Sequence, residues 1–189
     1  QMTPAPWVNI LANPSFGTMM SESGSANTWS ENAHEFRLTP WSNDPVGDAN
    51  TDAYYLRDEA SGCFWSATLL PVGGAARYVT RHGFGYSVFE HSEDGIDSEL
   101  CVFVAIDAPV KFAVLNLHNR SGRMRRLSVT GYVEWVLGDE RAKTQMHVIT
   151  GIDSDAGALL ARNAYNTDFA GRTAFFDVDA AAGRSFCGD

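Results

Sequence analysis

No stretch of the sequence approaches the roughly 20 consecutive apolar residues that a transmembrane helix needs, so no helical span is expected within it. Cysteine is scarce. Cys63, Cys101 and Cys187 are an odd, scattered set with no Cys-x-x-Cys pair, which argues for free thiols in a reducing compartment rather than a disulfide framework. Basic residues are few as well. Against 23 Asp and Glu stand only 14 Lys and Arg, a net charge of −9, and such a surface repels nucleic acid and anionic lipid. No basic leader is visible at the start, so no secretory signal is expected and a cytoplasmic place is the default. Helical periodicity is missing from every window of ten or more residues, which removes helix bundles and α/β folds. There is no Gly-x-Ser-x-Gly elbow and no P-loop, and Gly83-Phe84-Gly85 lacks the strand–helix context of a dinucleotide site.

What is present is a chain of 189 residues with 44% hydrophobic and 12% aromatic content, enough for one sizeable core. Short alternating runs predict strands over 7–11, 15–21, 53–58, 63–69, 77–82, 86–91, 99–106, 111–118, 126–137, 144–152, 158–162 and 173–179. The run 126–137 is the clearest. Leu127, Val129, Val133, Trp135 and Leu137 share one face, as a half-buried antiparallel strand demands. Asp94-Gly95 is a favoured hairpin turn before 99–106, where Leu100, Val102, Val104 and Ile106 share a face. The expectation is all-β: an antiparallel β-sandwich of two sheets, one domain over 1–189. Gln1-Met2-Thr3-Pro4 starts abruptly, and 184–189 has neither a polar tail nor a helix stop. The chain is therefore expected to be a fragment of a longer multidomain enzyme.

One stretch, 28–46, concentrates chemistry. It carries Trp29, Trp41, Glu31, Glu35, Asp44, His34, Arg37, Asn32 and Asn43, with Pro40 and Pro45 interrupting the backbone. The two prolines exclude a long helix or a central strand through it. Ordered loops of this length usually carry function. Tryptophan faces can cover the C–H face of a sugar, while carboxylates, amides and a guanidinium take its hydroxyls, so the stretch suits a neutral polyhydroxylated ligand. Plain core tryptophans and turn-forming Asn-Asp-Pro are the simpler alternative.

Ser21-Glu22-Ser23-Gly24, Thr28-Trp29, Asn32, Glu35, the run Arg37-Leu-Thr-Pro-Trp-Ser-Asn-Asp-Pro-Val46 and Tyr55-Leu56-Arg57-Asp58 resemble the opening of a known family. It is the glycosyltransferase family 36 group, also classed as glycoside hydrolase family 94. The likeness continues through Arg81-His-Gly-Phe-Gly-Tyr-Ser87, Tyr132-Val-Glu-Trp-Val-Leu-Gly138 and Ala161-Arg-Asn-Ala-Tyr-Asn166, and so covers nearly the whole chain. Members include cellobiose, chitobiose and β-1,2-oligoglucan phosphorylases and the carboxyl-terminal module of cyclic β-1,2-glucan synthases; the last two look most similar. The resemblance implies an amino-terminal supersandwich domain, like that of galactose mutarotases, ahead of a helical barrel that carries the catalytic acid. It implies a non-catalytic, carbohydrate-binding domain that shapes the active-site mouth of an inverting phosphorylase or transferase acting on β-linked glucans. The parent would then be the enzyme, this chain alone would be inactive, and an inner-membrane parent is admitted. Partners would be a β-glucan oligosaccharide, the downstream barrel and a second copy.

The carbohydrate-contacting residues expected here are Trp29, Glu35, Arg37, Trp41, Asn43 and Asp44, lining the mouth or holding it rigid. Arg81 and His82 form a second constellation with Gly83, Phe84, Gly85 and Tyr86; a strand with glycines for close packing is the simpler reading. No catalytic residue, cofactor or metal is expected. His34, His82, His91, His118 and His147 show no zinc spacing, and Asp153-Ser-Asp-Ala-Gly157 lacks the remaining ligands of a calcium loop and reads as a hairpin turn. Arg120, Arg123, Arg125 and Arg126 read as a solvated basic hairpin, with contact to an acidic neighbouring domain as the alternative. A stand-alone carbohydrate-binding module and a structural dimerisation domain are the alternatives.

Overall fold

The computed structural model describes residues 3–44, 46–179 and 183–188. The readings that touch Gln1, Met2, Pro45 and Asp189 lie outside the described residues. The elements in order are β1 (Val8–Asn13), β2 (Phe16–Ser21), β3 (Ala26–Ser30), β4 (Asp52–Asp58), β5 (Phe64–Ser66), β6 (Tyr78–Gly83) and β7 (Tyr86–Glu93). They continue with β8 (Ile96–Val104), β9 (Lys111–Asn119), β10 (Leu127–Val133), a one-turn helix α1 (Arg141–Thr144), β11 (Val148–Ile152), β12 (Leu159–Asn163) and β13 (Ala174–Phe176).

The expected all-β, antiparallel architecture is present. Among the described residues its ladders form four sheets rather than two: β1-β2-β3, β10-β4-β5, β6-β7-β8-β9 and β11-β12-β13. The four-stranded sheet is a plain meander, and Asp94-Gly95 makes its central hairpin with both residues at positive φ (47° and 76°). Three sheets share the main core. Leu11, Met20 and Ala26 come from the first, Leu56 and Trp65 from the second, and Phe89, Ile96, Leu100 and Val102 from the meander, with Ala67 just after β5. Full burial of each large apolar side chain contributes about 1.5–3 kcal/mol. A buried polar tie joins the same three sheets. Lys111 Nζ on β9 donates to Asp52 Oδ2 on β4 at 2.5 Å and to Thr28 Oγ1 on β3 at 3.0 Å.

A second, smaller core lies under the sheet β11-β12-β13. Phe36, Leu137, Ala161 and Ala174 form it, with Leu38, Trp135, Val148 and Phe169 packed against them. It explains why the long strand expected over 126–137 stops at Val133. Beyond that point the backbone leaves β4 and bonds the functional loop instead: Val136 N donates to Leu38 O, and Gly138 N to Arg37 O. Val136 and Leu137 are both buried, which breaks alternation, and Leu137 takes φ 51°.

Other expectations are corrected. The stretch 28–46 begins inside a strand, because Thr28, Trp29 and Ser30 belong to β3, the last strand of the first sheet. The strand expected over 144–152 starts only at Val148, after α1 and its following turn. Ile106 lies past the end of β8 and is exposed. The arginine hairpin is not uniformly solvated. The Arg125 side chain is buried, with Nε and Nη2 both on Asp58 Oδ2 at 3.0 and 2.6 Å and Nη2 also on Asp94 at 2.7 Å.

Candidate functional site

The loop after β3 is shaped by its own polar groups. Asn32 Oδ1 accepts the amides of His34 and Glu35 at 2.9 Å each. Phe36 N donates back to Asn32 O, and Ser30 N to Phe36 O, closing a tight turn. Phe36 is thereby pushed inward, where its ring stacks on Phe169 at 4.5 Å and 8°. Glu35, its neighbour, is left facing out. The next residues are stitched between two segments. Arg37 bridges Trp29 on one side and Gly138 on the other, and its guanidinium donates to the carbonyls of Ala33 (3.3 Å) and Asp139 (2.9 Å). Leu38 N and Thr39 N both bond Thr28 O, and Asn27 Nδ2 reaches Thr39 O at 3.0 Å.

This stitching makes one wall of an open groove of about 390 Å³. Glu35, Gly138 and Asp139 line that wall; Lys143, Thr144 and His147 form the floor beside α1; the loop 163–169 forms the opposite wall. Two asparagines hold that loop. Asn163 Nδ2 donates to Leu137 O at 3.2 Å while its Oδ1 accepts Tyr165 N. Asn166 Nδ2 reaches the same carbonyl at 3.4 Å, and its Oδ1 accepts the amides of Asp168 and Phe169. Tyr165 is presented to solvent, 77% exposed, with its ring stacked on His147 at 4.3 Å and 27°. Lys143 Nζ bonds Asp139 at 2.6 Å and lies 3.4 Å from Glu140. That hydrogen bond holds the Asp139 carboxyl below its ordinary range and the Lys143 ammonium above its own.

The structure distributes the sequence-expected residues over four places. Glu35 lines the groove and Arg37 braces its wall through backbone carbonyls. Trp29 is half-buried across β2, where a Cβ added at Gly17 would lie 2.4 Å from its ring, so only glycine fits there. Trp41, Asn43 and Asp44 are exposed on the outgoing limb and are not among the groove's lining residues. Asp44 Oδ1 accepts Val46 N at 3.0 Å, an ordinary Asx turn. Arg81 and His82 belong to β6, in the meander sheet, and are not brought to the loop. As strand neighbours they point to opposite faces. Arg81 pairs with Glu90 on the outside, whereas His82 Nδ1 meets Ser87 Oγ at 2.9 Å inside, and burial lowers its imidazole pKa. Gly83 lets the Tyr86 ring lie against the backbone of this hairpin.

Lys143, His147, Tyr165, Asn166 and Asp168 were not singled out as site residues from sequence. Tyr165 and Asn166 did stand in the Ala161–Asn166 segment that carries the family likeness. His147 has no such signal, since only the β11–β12 hairpin brings it beside Tyr165. Among the described residues, no group of three His, Cys, Asp or Glu is placed to hold a metal ion, and no helix is long and apolar enough to cross a membrane.

A nearly all-β domain of antiparallel sheets is consistent with the supersandwich class. Residues 1–189 match the family described as Glycosyl hydrolase 94, supersandwich domain, and the chain belongs to that family. It is 40% identical over 184 residues to the cyclic beta-(1,2)-glucan synthase NdvB of Rhizobium meliloti (strain 1021), covering 95% of this chain and 6% of that protein. It is 30% identical over 192 residues to an N,N'-diacetylchitobiose phosphorylase of Vibrio furnissii, covering 96% of this chain and 24% of that one. With a solabiose phosphorylase of Paenibacillus borealis it shares 30% identity over 143 residues, 71% of this chain and 18% of that one. The chain thus spans a quarter or less of each of these relatives.

Proposed function

We propose that this supersandwich domain is a non-catalytic, carbohydrate-binding part of a longer enzyme acting on β-linked glucans, a cyclic β-1,2-glucan synthase by its likeness to NdvB. The observation that carries the reading is the groove between Glu35 and Tyr165. It joins an exposed tyrosine, stacked on the half-buried His147, to carboxylates and hydroxyls on a braced frame. Such a surface covers the apolar face of a sugar and accepts from its hydroxyls. The braced loop, with Arg37 fixing its wall, shapes the mouth of a helical barrel borne elsewhere in the longer protein. The chain alone releases no glucose 1-phosphate from β-1,2-glucan in the presence of phosphate.

Titration of the chain with neutral β-1,2-linked gluco-oligosaccharides, followed by amide NMR, tests the reading. Shifts concentrated at Glu35, His147, Tyr165 and Asn166, and lost in Tyr165→Ala, support it. Shifts nowhere, or only on other surfaces, refute it.

A structural, dimer-forming role is the second reading, favoured by a different observation. The outer face of the meander sheet leaves Tyr86 on β7 and Phe112 and Val114 on β9 exposed, on either side of β8. Sedimentation equilibrium decides that one, because a second copy seated there makes the mass concentration-dependent.

A further inference from the structure

The groove has a charge character that the sugar reading alone does not use. Its lining carries three carboxylates, Glu35, Asp139 and Asp168, against one ammonium, Lys143. That ammonium is already committed to Asp139 and Glu140. No arginine lines the groove, and the nearby Arg37 spends its guanidinium on the carbonyls of Ala33 and Asp139. His147 contributes a ring face to Tyr165.

Phosphate is usually held by free backbone amides in a concave loop or by a guanidinium fork. The loop 163–169 has the shape to offer amides, but four of them are taken. The amides of Tyr165, Asp168 and Phe169 point to the side-chain oxygens of Asn163 and Asn166, and Asn166 N bonds Asn163 O. What remains open to a ligand is acceptor-rich: the Asp168 carboxylate and that of Glu35, whose Oε1 also meets His34 Nδ1 at 2.7 Å. Acceptors of this kind bond sugar hydroxyls and repel a phosphate dianion.

We infer that the groove admits uncharged sugar chains and turns away sugar phosphates, so that any phosphate-bearing step belongs to other residues. This rests on the reading of the groove as a sugar site. It assigns the groove to the neutral glucan chain rather than to the phosphorylated donor or product.

The test compares two probes on the same chain by amide NMR at Tyr165, Asn166 and His147: a neutral β-1,2-linked glucose disaccharide and glucose 1-phosphate. At about 10 mM salt, where screening is weak, the disaccharide is expected to bind at least tenfold more tightly. At about 1 M salt, where the Debye length falls to roughly 3 Å, the gap should shrink to within about threefold. Glucose 1-phosphate binding in the groove as tightly as the disaccharide at low salt overturns the inference and leaves the sugar reading standing. A gap that salt does not narrow also overturns it, because shape rather than charge would then be selecting. If neither probe shifts these residues, the sugar reading and the inference fall together.

Discussion

Arg37 Nη1 donates to the Asp139 carbonyl at 2.9 Å, tying together two segments 102 residues apart in sequence. With the Ala33 carbonyl on Nε, both contacts are to backbone, so the guanidinium sets the groove wall and does not reach into it. Arg37→Lys keeps the charge but loses the planar fork. The expected outcome is a modest loss of stability, about 1 kcal/mol, read from urea unfolding. Oligosaccharide-induced shifts at Glu35 should be lost, and activity of the longer enzyme should fall by about tenfold or more. A collapse of stability would instead mark Arg37 as a strut of the whole fold.

The Asp58–Arg125 pair should govern acid sensitivity. The amide of Ala60 and the guanidinium of Arg125 hold the Asp58 carboxyl below its ordinary range. A carboxyl depressed in the folded state contributes stability above its unfolded value of about 3.9, and that contribution is lost as pH falls through the lower folded value. Asp97 beside Ser92 and Arg120, Asp139 beside Lys143 and Glu31 beside Arg172 act in the same sense. Urea midpoints should hold steady from neutral pH to about pH 5 and drop toward about pH 3. Asp58→Asn should be less stable at neutral pH and lose less on acidification. An equal acid loss in the variant would show that Asp58 is not a principal group.

Lys111 bonds Asp52 and Thr28 with little solvent access, its side chain 14% and that of Asp52 6% exposed. Removing one partner of such a pair leaves an uncompensated charge and costs about 3–5 kcal/mol. Lys111→Met should therefore lower the thermal midpoint by roughly 6 °C or more for a domain of this size. Lys111→Met combined with Asp52→Asn should recover part of that loss. A neutral single variant would show the tie to be dispensable.

Chelation should do nothing. No described cluster of ligating side chains is placed for a metal, so EDTA is expected to leave the thermal midpoint unchanged. A fall of several degrees would reveal a structural ion.

The β-rich architecture was readable because alternation and turn chemistry are local. Asp94-Gly95 and the strands around it came out of the pattern almost as built, with β7 at Tyr86–Glu93 and β9 at Lys111–Asn119. Errors arose where a distant segment captured the backbone. Val136 and Gly138 bond Leu38 and Arg37, and nothing in the alternation of 126–137 signals that exchange. Arg125 reads as one of four exposed arginines until Asp58, 67 residues away, is placed beside it. The concentration of polar and aromatic residues in 28–46 drew attention to Glu35 and Arg37. In the facing wall Tyr165 stacks on His147 of the floor, a juxtaposition that depends on the β11–β12 hairpin register.

The two separate cores divide the chain into units that need not open together. The larger one unites three sheets around Leu56, Trp65 and Phe89, while the smaller holds only Phe36, Leu137, Ala161 and Ala174 with their neighbours. Phe36 belongs to the smaller one, so the loop bearing Glu35 should exchange its amide hydrogens in step with β11 and β12 rather than with the strand β3 from which it emerges. Local opening of that lesser unit would dismantle both walls of the groove at once while the main body stays folded. Ligand held across those walls should therefore slow exchange at Val148–Ile152 and Phe36 together, leaving Leu100 and Val102 unaffected.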